Sequence, residues 1–90
     1  MDQIKHVFID VREPYEFALG HVDGAINVPS ESLMNGAPEM KDIPKNANLI
    51  VYCRSGSRSA IAIELFRRIG FTNLTNGINK ETVNQRYSTN

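Results

Sequence analysis

Residues 48–69 have the sequence NLIVYCRSGSRSAIAIELFRRI, and this stretch decides the fold. Residues 48–53 are apolar without polar alternation, which is typical of a strand that is covered on both faces in a parallel sheet. Residues 54–58 predict a turn, and residues 59–69 repeat their apolar side chains on one helical face. Gly70 is positioned to end that helix. A buried strand that leads through a turn into a helix indicates an α/β fold.

Shorter elements on both sides of this stretch favour the same fold class. Proline and acidic residues predict a short helix near residue 14, and Pro29 stops an apolar strand. The remaining predicted elements are a strand at 6–11, a helix at 13–18, a strand at 25–28, a helical turn at 30–33, a loop at 35–48, a strand at 71–75 and a polar helix at 79–87. Strands that alternate with helices predict a mostly parallel sheet. We expect one domain over residues 1–90, with a frayed tail at 88–90.

Composition excludes several classes of function. Ten basic and ten acidic residues give a net charge of zero, which argues against nucleic-acid and membrane partners. The apolar runs are shorter than the ~18 residues of a membrane span. The single cysteine excludes an intrachain disulfide, and together with His6 and His21 it matches no zinc spacing, so we expect no metal and no cofactor. We expect a cytoplasmic protein, although a periplasmic chain whose signal peptide had been removed would look the same.

The position of Cys53 suggests chemistry. Cys53 ends the predicted buried strand, and ligands of open α/β sheets bind beyond the carboxyl ends of strands. Free N–H groups of a tight loop and a helix N-terminus favour an anion there, and therefore a thiolate. Arg54 and Arg58 add positive charge, and Gly56 permits a sharp turn. The alternative is a cysteine that packs as a small apolar side chain.

Two separated segments resemble the rhodanese family. Residues 9–14 (IDVREP) and 20–29 (GHVDGAINVP) resemble the first rhodanese signature, and residues 51–60 (VYCRSGSRSA) resemble the active-site loop with its helix. The resemblance covers residues 7–77, and the chain is similar in size to short phage-shock-type rhodaneses. It implies a three-layer fold, with helices on both faces of the sheet and a sheet edge reduced at the N-terminus.

The chain departs from the family pattern near its C-terminus. Rhodanese domains often carry two glycines and an aliphatic residue there, followed by a tryptophan. This chain has Asn76-Gly77-Ile78 instead, and it contains no tryptophan.

The resemblance also implies a mechanism. The Cys53 thiolate attacks the outer sulfur of a small anionic donor such as thiosulfate, sulfite leaves, and a persulfide remains. Cyanide or a thiol, including a protein thiol, then removes the outer sulfur. Physical reasoning adds that Arg54 and Arg58 attract the donor, although Arg58 could instead brace the helix start. The predicted site comprises catalytic Cys53, the loop residues Arg54, Ser55, Gly56, Ser57 and Arg58, and the supporting residues Asp10 and Arg12.

Two other functions remain open at this point. A phosphatase or arsenate reductase also uses a cysteine, a loop and an arginine, but such enzymes place five residues between them. Here four residues separate Cys53 from Arg58, which favours a tighter loop. A persulfide carrier or docking module without catalytic turnover is the second alternative.

Overall fold

The computed structural model describes residues 5–87, and its sheet has four parallel strands in the order β2-β1-β3-β4. The strands are β1 (His6–Asp10), β2 (Ile26–Asn27), β3 (Asn48–Cys53) and β4 (Asn73–Asn79). β3 lies between β1 and β4, so the strand that ends at the cysteine is central. The predicted α/β fold with a parallel sheet is confirmed.

The helices cover both faces of this sheet. The helical elements are α1 (Pro14–Leu19), α2 (Ser30–Met34), a 3-10 turn (Pro38–Met40), α3 (Ser57–Ile69) and α4 (Lys80–Tyr87). Side chains alternate along β3, because successive residues of a strand point to opposite faces. Leu49, Val51 and Cys53 pack with α2 and α3, whereas Ile50 and Tyr52 pack with α4. The predicted three-layer arrangement is therefore confirmed.

Two predicted elements had boundaries that were wrong by two residues or more. α3 begins at Ser57 and not at Ser59, so Arg58 lies in the first turn of the helix. The last strand covers Asn73–Asn79, further along the chain than the predicted 71–75. Phe71 is buried against Phe66, with ring centroids 5.8 Å apart, so its apolarity reflects the core beyond α3 and not a strand. The predicted frayed tail, 88–90, lies outside the described residues.

β4 contains a bulge where it pairs with β3. Val51 pairs with Asn76 and Tyr52 with Ile78, so Gly77 is the extra residue. A Cβ at Gly77 would lie 2.6 Å from Val83 Cγ2, which explains why only glycine fits where α4 packs against the sheet. The bulge brings the side chain of Asn76 to the carboxyl end of β3.

None of the helices between residues 5 and 87 has both the length and the apolar character that crossing a bilayer requires.

Candidate active site

The Cys53 sulfur lies in a cradle of backbone N–H groups. Cys53 is the last residue of β3, and its side chain faces α3 and is 2% exposed. Gly56 has φ +96°, a left-handed conformation that glycine adopts without strain, and it turns the chain back over the sulfur. The Gly56 N–H donates to Cys53 Sγ at 3.1 Å, and the Ser59 N–H donates at 3.4 Å. Both donors stabilise a negative charge on sulfur.

These donors make the thiol acidic. Burial raises the pKa of Cys53, but hydrogen bonds from Ser59 and from the N–H groups of Ser55 and Gly56 outweigh it. The result is a pKa of about 7. A substantial fraction of Cys53 is therefore thiolate at neutral pH, which is the nucleophilic form.

We expect alkylation of Cys53 by iodoacetamide to show this acidity directly. The rate should rise with pH through an inflection near pH 7. In a denaturant the cradle is lost, and the inflection should move to the ~8.5 of a free thiol. The chain has one cysteine, so each profile reports a single group. Identical inflections in the native and denatured states would contradict the proposed stabilisation of the thiolate.

A cationic cavity opens beside the sulfur. It has a volume of about 250 Å³ and is lined by Arg12, Cys53, Arg54, Asn79, Lys80 and Glu81. A neighbouring cavity of about 300 Å³ shares Arg12, Arg54 and Lys80 with the first. Arg54 is exposed, and Lys80 Nζ approaches Gly20 so closely that a Cβ there would lie 3.1 Å from it. The approach to Cys53 is therefore lined by basic groups from three parts of the fold.

Asp10 and Arg12 form an ion pair at the back of this cavity. Arg12 Nη2 donates to Asp10 Oδ2 at 2.7 Å and to the Gly20 carbonyl at 2.6 Å, and Arg12 Nε donates to both carboxylate oxygens. The Asp10 side chain is fully buried. Its hydrogen bonds raise the pKa of Arg12. This arrangement satisfies a buried carboxylate and holds the guanidinium at the cavity wall.

Arg58 binds Glu16 and does not line either cavity. Its guanidinium donates to Glu16 Oε1 at 2.8 Å and to Glu16 Oε2 at 3.1 Å, a bidentate pair that joins α3 to α1. The Glu16 carboxylate also accepts the N–H of Glu13 at 2.8 Å, at the start of α1. The pair therefore ties the first turn of α3, which supplies the Ser59 N–H, to a neighbouring element.

Acid should weaken this connection. The hydrogen bonds from Arg58 lower the pKa of Glu16 to about 2. A lowered pKa stabilises the folded state above the unfolded value of 4.5, and the stabilisation is lost as the pH falls towards 2. We expect Glu16→Gln to lower the free energy of unfolding by about 1–2 kcal/mol at pH 7. The loss is modest because Arg58 is partly exposed, so that solvent screens its attraction to Glu16. Urea unfolding at several pH values should show the deficit shrinking between pH 4.5 and 2. A deficit that stays constant would mean that Glu16 ionisation is not coupled to folding.

The structure brings most predicted site residues to one edge of the sheet and adds four that sequence reasoning missed. Ser55 and Ser57 are exposed at the outer side of the loop, where their hydroxyls lie 3.4 Å apart. The missed residues are Glu16, Ser59, Asn76 and Lys80. Two of them had a signal in the sequence. Glu16 follows Glu13 at the spacing of a helix start, and Asn76 replaces the first glycine of the expected pair.

Sequence comparison relates the chain to one domain family. The family profile described as "Rhodanese-like domain" matches residues 1–80. The probable adenylyltransferase/sulfurtransferase MoeZ of Mycobacterium tuberculosis is 37% identical over 76% of this chain and 17% of its own length. The adenylyltransferase and sulfurtransferase UBA4 of Saccharomyces cerevisiae is 32% identical over 78% of this chain and 18% of its own. A tRNA uridine(34) hydroxylase of Pectobacterium carotovorum is 35% identical over 76% of this chain. The chain thus spans about a fifth of the length of these relatives.

Comparison with solved structures leads to the same domain family. A structure described as rhodanese with anions from E. coli is 30% identical, with a TM-score of 0.75 over 87% of this chain and 91% of that one. A rhodanese-like domain from Anabaena shares the fold, with a TM-score of 0.76 over 93% of this chain and 94% of that one at 23% identity.

Proposed function

Because this chain belongs to the rhodanese-like family, we propose that it is a sulfurtransferase that carries sulfane sulfur as a persulfide on Cys53. The observation that carries the proposal is the convergence of two backbone N–H groups on the sulfur of the chain's one cysteine. This cradle stabilises a thiolate before the reaction.

The first half-reaction forms the persulfide. A lone pair of the Cys53 thiolate attacks the outer sulfur of thiosulfate, a new S–S bond forms, and the bond to the sulfonate breaks. Sulfite leaves with the electron pair of that bond. Arg54 and Lys80, at the cavity beside Cys53, stabilise the charge that grows on the departing sulfite. The same cations raise the local concentration of the dianionic donor.

The second half-reaction returns the enzyme to its starting state. A nucleophile such as cyanide or a thiolate attacks the outer sulfur of the persulfide, and Cys53 leaves as a thiolate. The acidity of the Cys53 thiol makes it a good leaving group, because a thiol of lower pKa leaves faster. The low pKa of one residue therefore assists both halves of the cycle.

The acceptor can be a protein thiol. Tyr15 and Leu19 line the second cavity, which adjoins the one beside the sulfur, and they are 69% and 86% exposed. Large exposed apolar side chains near a reaction site favour contact with another protein surface. This observation supports the second candidate, a persulfide carrier that serves a protein acceptor. The carrier is favoured if the Cys53 persulfide transfers its sulfur faster to a cysteine in a folded protein than to free cysteine. Leu19→Ser should then remove this difference in rate.

The alternative of a phosphatase receives no support from the loop. A phosphatase of this type needs its loop arginine for the phosphate oxygens, and here Glu16 holds the Arg58 guanidinium in a bidentate pair.

Intact-mass spectrometry after incubation with thiosulfate tests the proposed activity. One added sulfur atom per chain is expected, and an unchanged mass contradicts persulfide formation from this donor.

A further inference from the structure

One hydroxyl beside Cys53 has more acceptors than protons. Ser59 Oγ lies 3.4 Å from Cys53 Sγ, 2.7 Å from Asn76 Oδ1 and 3.2 Å from the Gly56 carbonyl oxygen. A hydroxyl has a single proton to donate. The partner that takes this proton decides what Ser59 presents to the sulfur. If the proton points to Cys53, Ser59 stabilises the thiolate, and if it points away, a lone pair of Ser59 accepts the S–H of the thiol.

The amide of Asn76 is oriented to accept the proton. Asn76 Nδ2 donates to the Gly56 carbonyl at 3.0 Å, and the Ile78 N–H donates to Asn76 Oδ1 at 2.9 Å. These two bonds turn the carbonyl end of the amide towards Ser59. The distance of 2.7 Å between Ser59 Oγ and Asn76 Oδ1 is typical of a strong O–H···O bond.

We propose that Asn76 is a positioning residue that competes with Cys53 for the Ser59 hydroxyl proton, so that Ser59 stabilises the thiolate less than it otherwise would. The proposal rests on the proposed function for its purpose. Backbone N–H groups and the Ser59 hydroxyl favour the thiolate, while Asn76 draws the hydroxyl proton away from it. The balance between them keeps Cys53 from becoming so acidic that its thiolate loses nucleophilicity, since an attacking thiol works best when its pKa is near the ambient pH.

Other charged groups near the sulfur remain the same in the test variants. From β1 and α1 these are the Asp10–Arg12 pair and Glu16, and from the loop, α3 and α4 they are Arg54, Arg58, Lys80 and Glu81. Differences between the variants below therefore report the hydrogen bonds of Ser59.

The test is a cycle of three variants, Asn76→Ala, Ser59→Ala and the double variant. In Asn76→Ala the hydroxyl is free to donate to the thiolate, so the inflection of iodoacetamide alkylation should fall by roughly 0.5–1 pH unit. In Ser59→Ala the inflection should rise, because the thiolate loses the hydroxyl that donates to it. The double variant should match Ser59→Ala, because the effect of Asn76 passes through Ser59.

Two results would overturn the proposal. An unchanged or lowered inflection in Ser59→Ala would mean that the hydroxyl does not donate to the thiolate, so that Asn76 has no donation to limit. A raised or unchanged inflection in Asn76→Ala, or a double variant whose inflection lies below that of Ser59→Ala, would mean that Asn76 acts on the loop and not through Ser59. If Asn76→Ala does not fold, Asn76→Gly takes its place, because it also removes the amide. Alkylation needs no sulfur donor, so a failure to form a persulfide from thiosulfate would count against the proposed function and not against this role of Asn76.

Discussion

Cys53→Ser is expected to abolish sulfur transfer from thiosulfate to cyanide. The proposed cycle stores the sulfur in a bond to Cys53 Sγ, and the chain has no second thiol that can replace it. A serine hydroxyl at this position stays protonated near neutral pH and forms no persulfide. The measurement is thiocyanate formation by purified protein, together with intact mass after incubation with thiosulfate. Turnover should fall to the uncatalysed rate, and the mass should not change.

The fold should survive this substitution. Serine is close in size to cysteine, and Gly56 N–H and Ser59 can donate to its oxygen as they do to sulfur. A urea unfolding curve near that of the wild type would establish that the loss of activity is chemical. Cyanide turnover by a well-folded Cys53→Ser protein at the wild-type rate would refute the covalent mechanism, because the sulfur would then pass through no bond to this residue.

The sequence predicted the parts of the fold that local patterns specify. The uninterrupted apolar run of β3 indicated a strand covered on both faces, and its residues pack against helices on either side. Cys53 at the end of that strand was recognisable because strand, glycine turn and helix are consecutive in the chain. The start of α3 was predicted two residues too late, because Ser57 and Arg58 have little apolar character to show helical periodicity.

The other parts of the site depend on contacts between distant residues. Glu16 and Arg58 are 42 residues apart, and Ser59 and Asn76 are 17 apart, so no local pattern links them. Lys80 begins a polar helix whose sequence shows no preference for a face of the sheet. Its place at the cavity follows from the bulge at Gly77, which sets where β4 ends and α4 begins. Such residues become visible only when the fold brings the segments together.

Removing the cations at the cavity should slow one half of the cycle more than the other. Arg54 and Lys80 line the cavity beside the sulfur, and the first half-reaction brings in a dianion and releases another. Loss of a charge-assisted hydrogen bond costs ~1.5–3 kcal/mol, so Arg54→Ala should slow persulfide formation by about ten- to a hundredfold. We expect a smaller effect, about tenfold, for Lys80→Ala. Discharge of a preformed persulfide to a neutral thiol should be less affected, because no sulfite leaves. Single-turnover kinetics of both halves provide the measurement.

Arg58→Ala should behave differently, because Glu16 already occupies its guanidinium. Its removal frees the first turn of α3 and leaves a mostly buried carboxylate without its partner. Both half-reactions should therefore slow to a similar extent, and the free energy of unfolding should fall. Arg67→Ala is the matched control, since Arg67 is exposed and its partner Glu64 lies 3.6 Å away on the same helix.

Added salt should distinguish two possible roles of an arginine, which are attraction of the anionic donor and support of the loop. Mobile ions screen exposed charges, so salt should slow persulfide formation in the wild type and in Arg58→Ala. The salt effect should be weaker in Arg54→Ala, which has lost part of the field that salt screens. If Arg54→Ala keeps the full salt dependence and slows both halves equally, Arg54 supports the loop and the donor is held by other groups. If Arg58→Ala alone slows the thiosulfate half selectively, Arg58 must leave Glu16 to bind the donor, and the bidentate pair would then describe only the resting state.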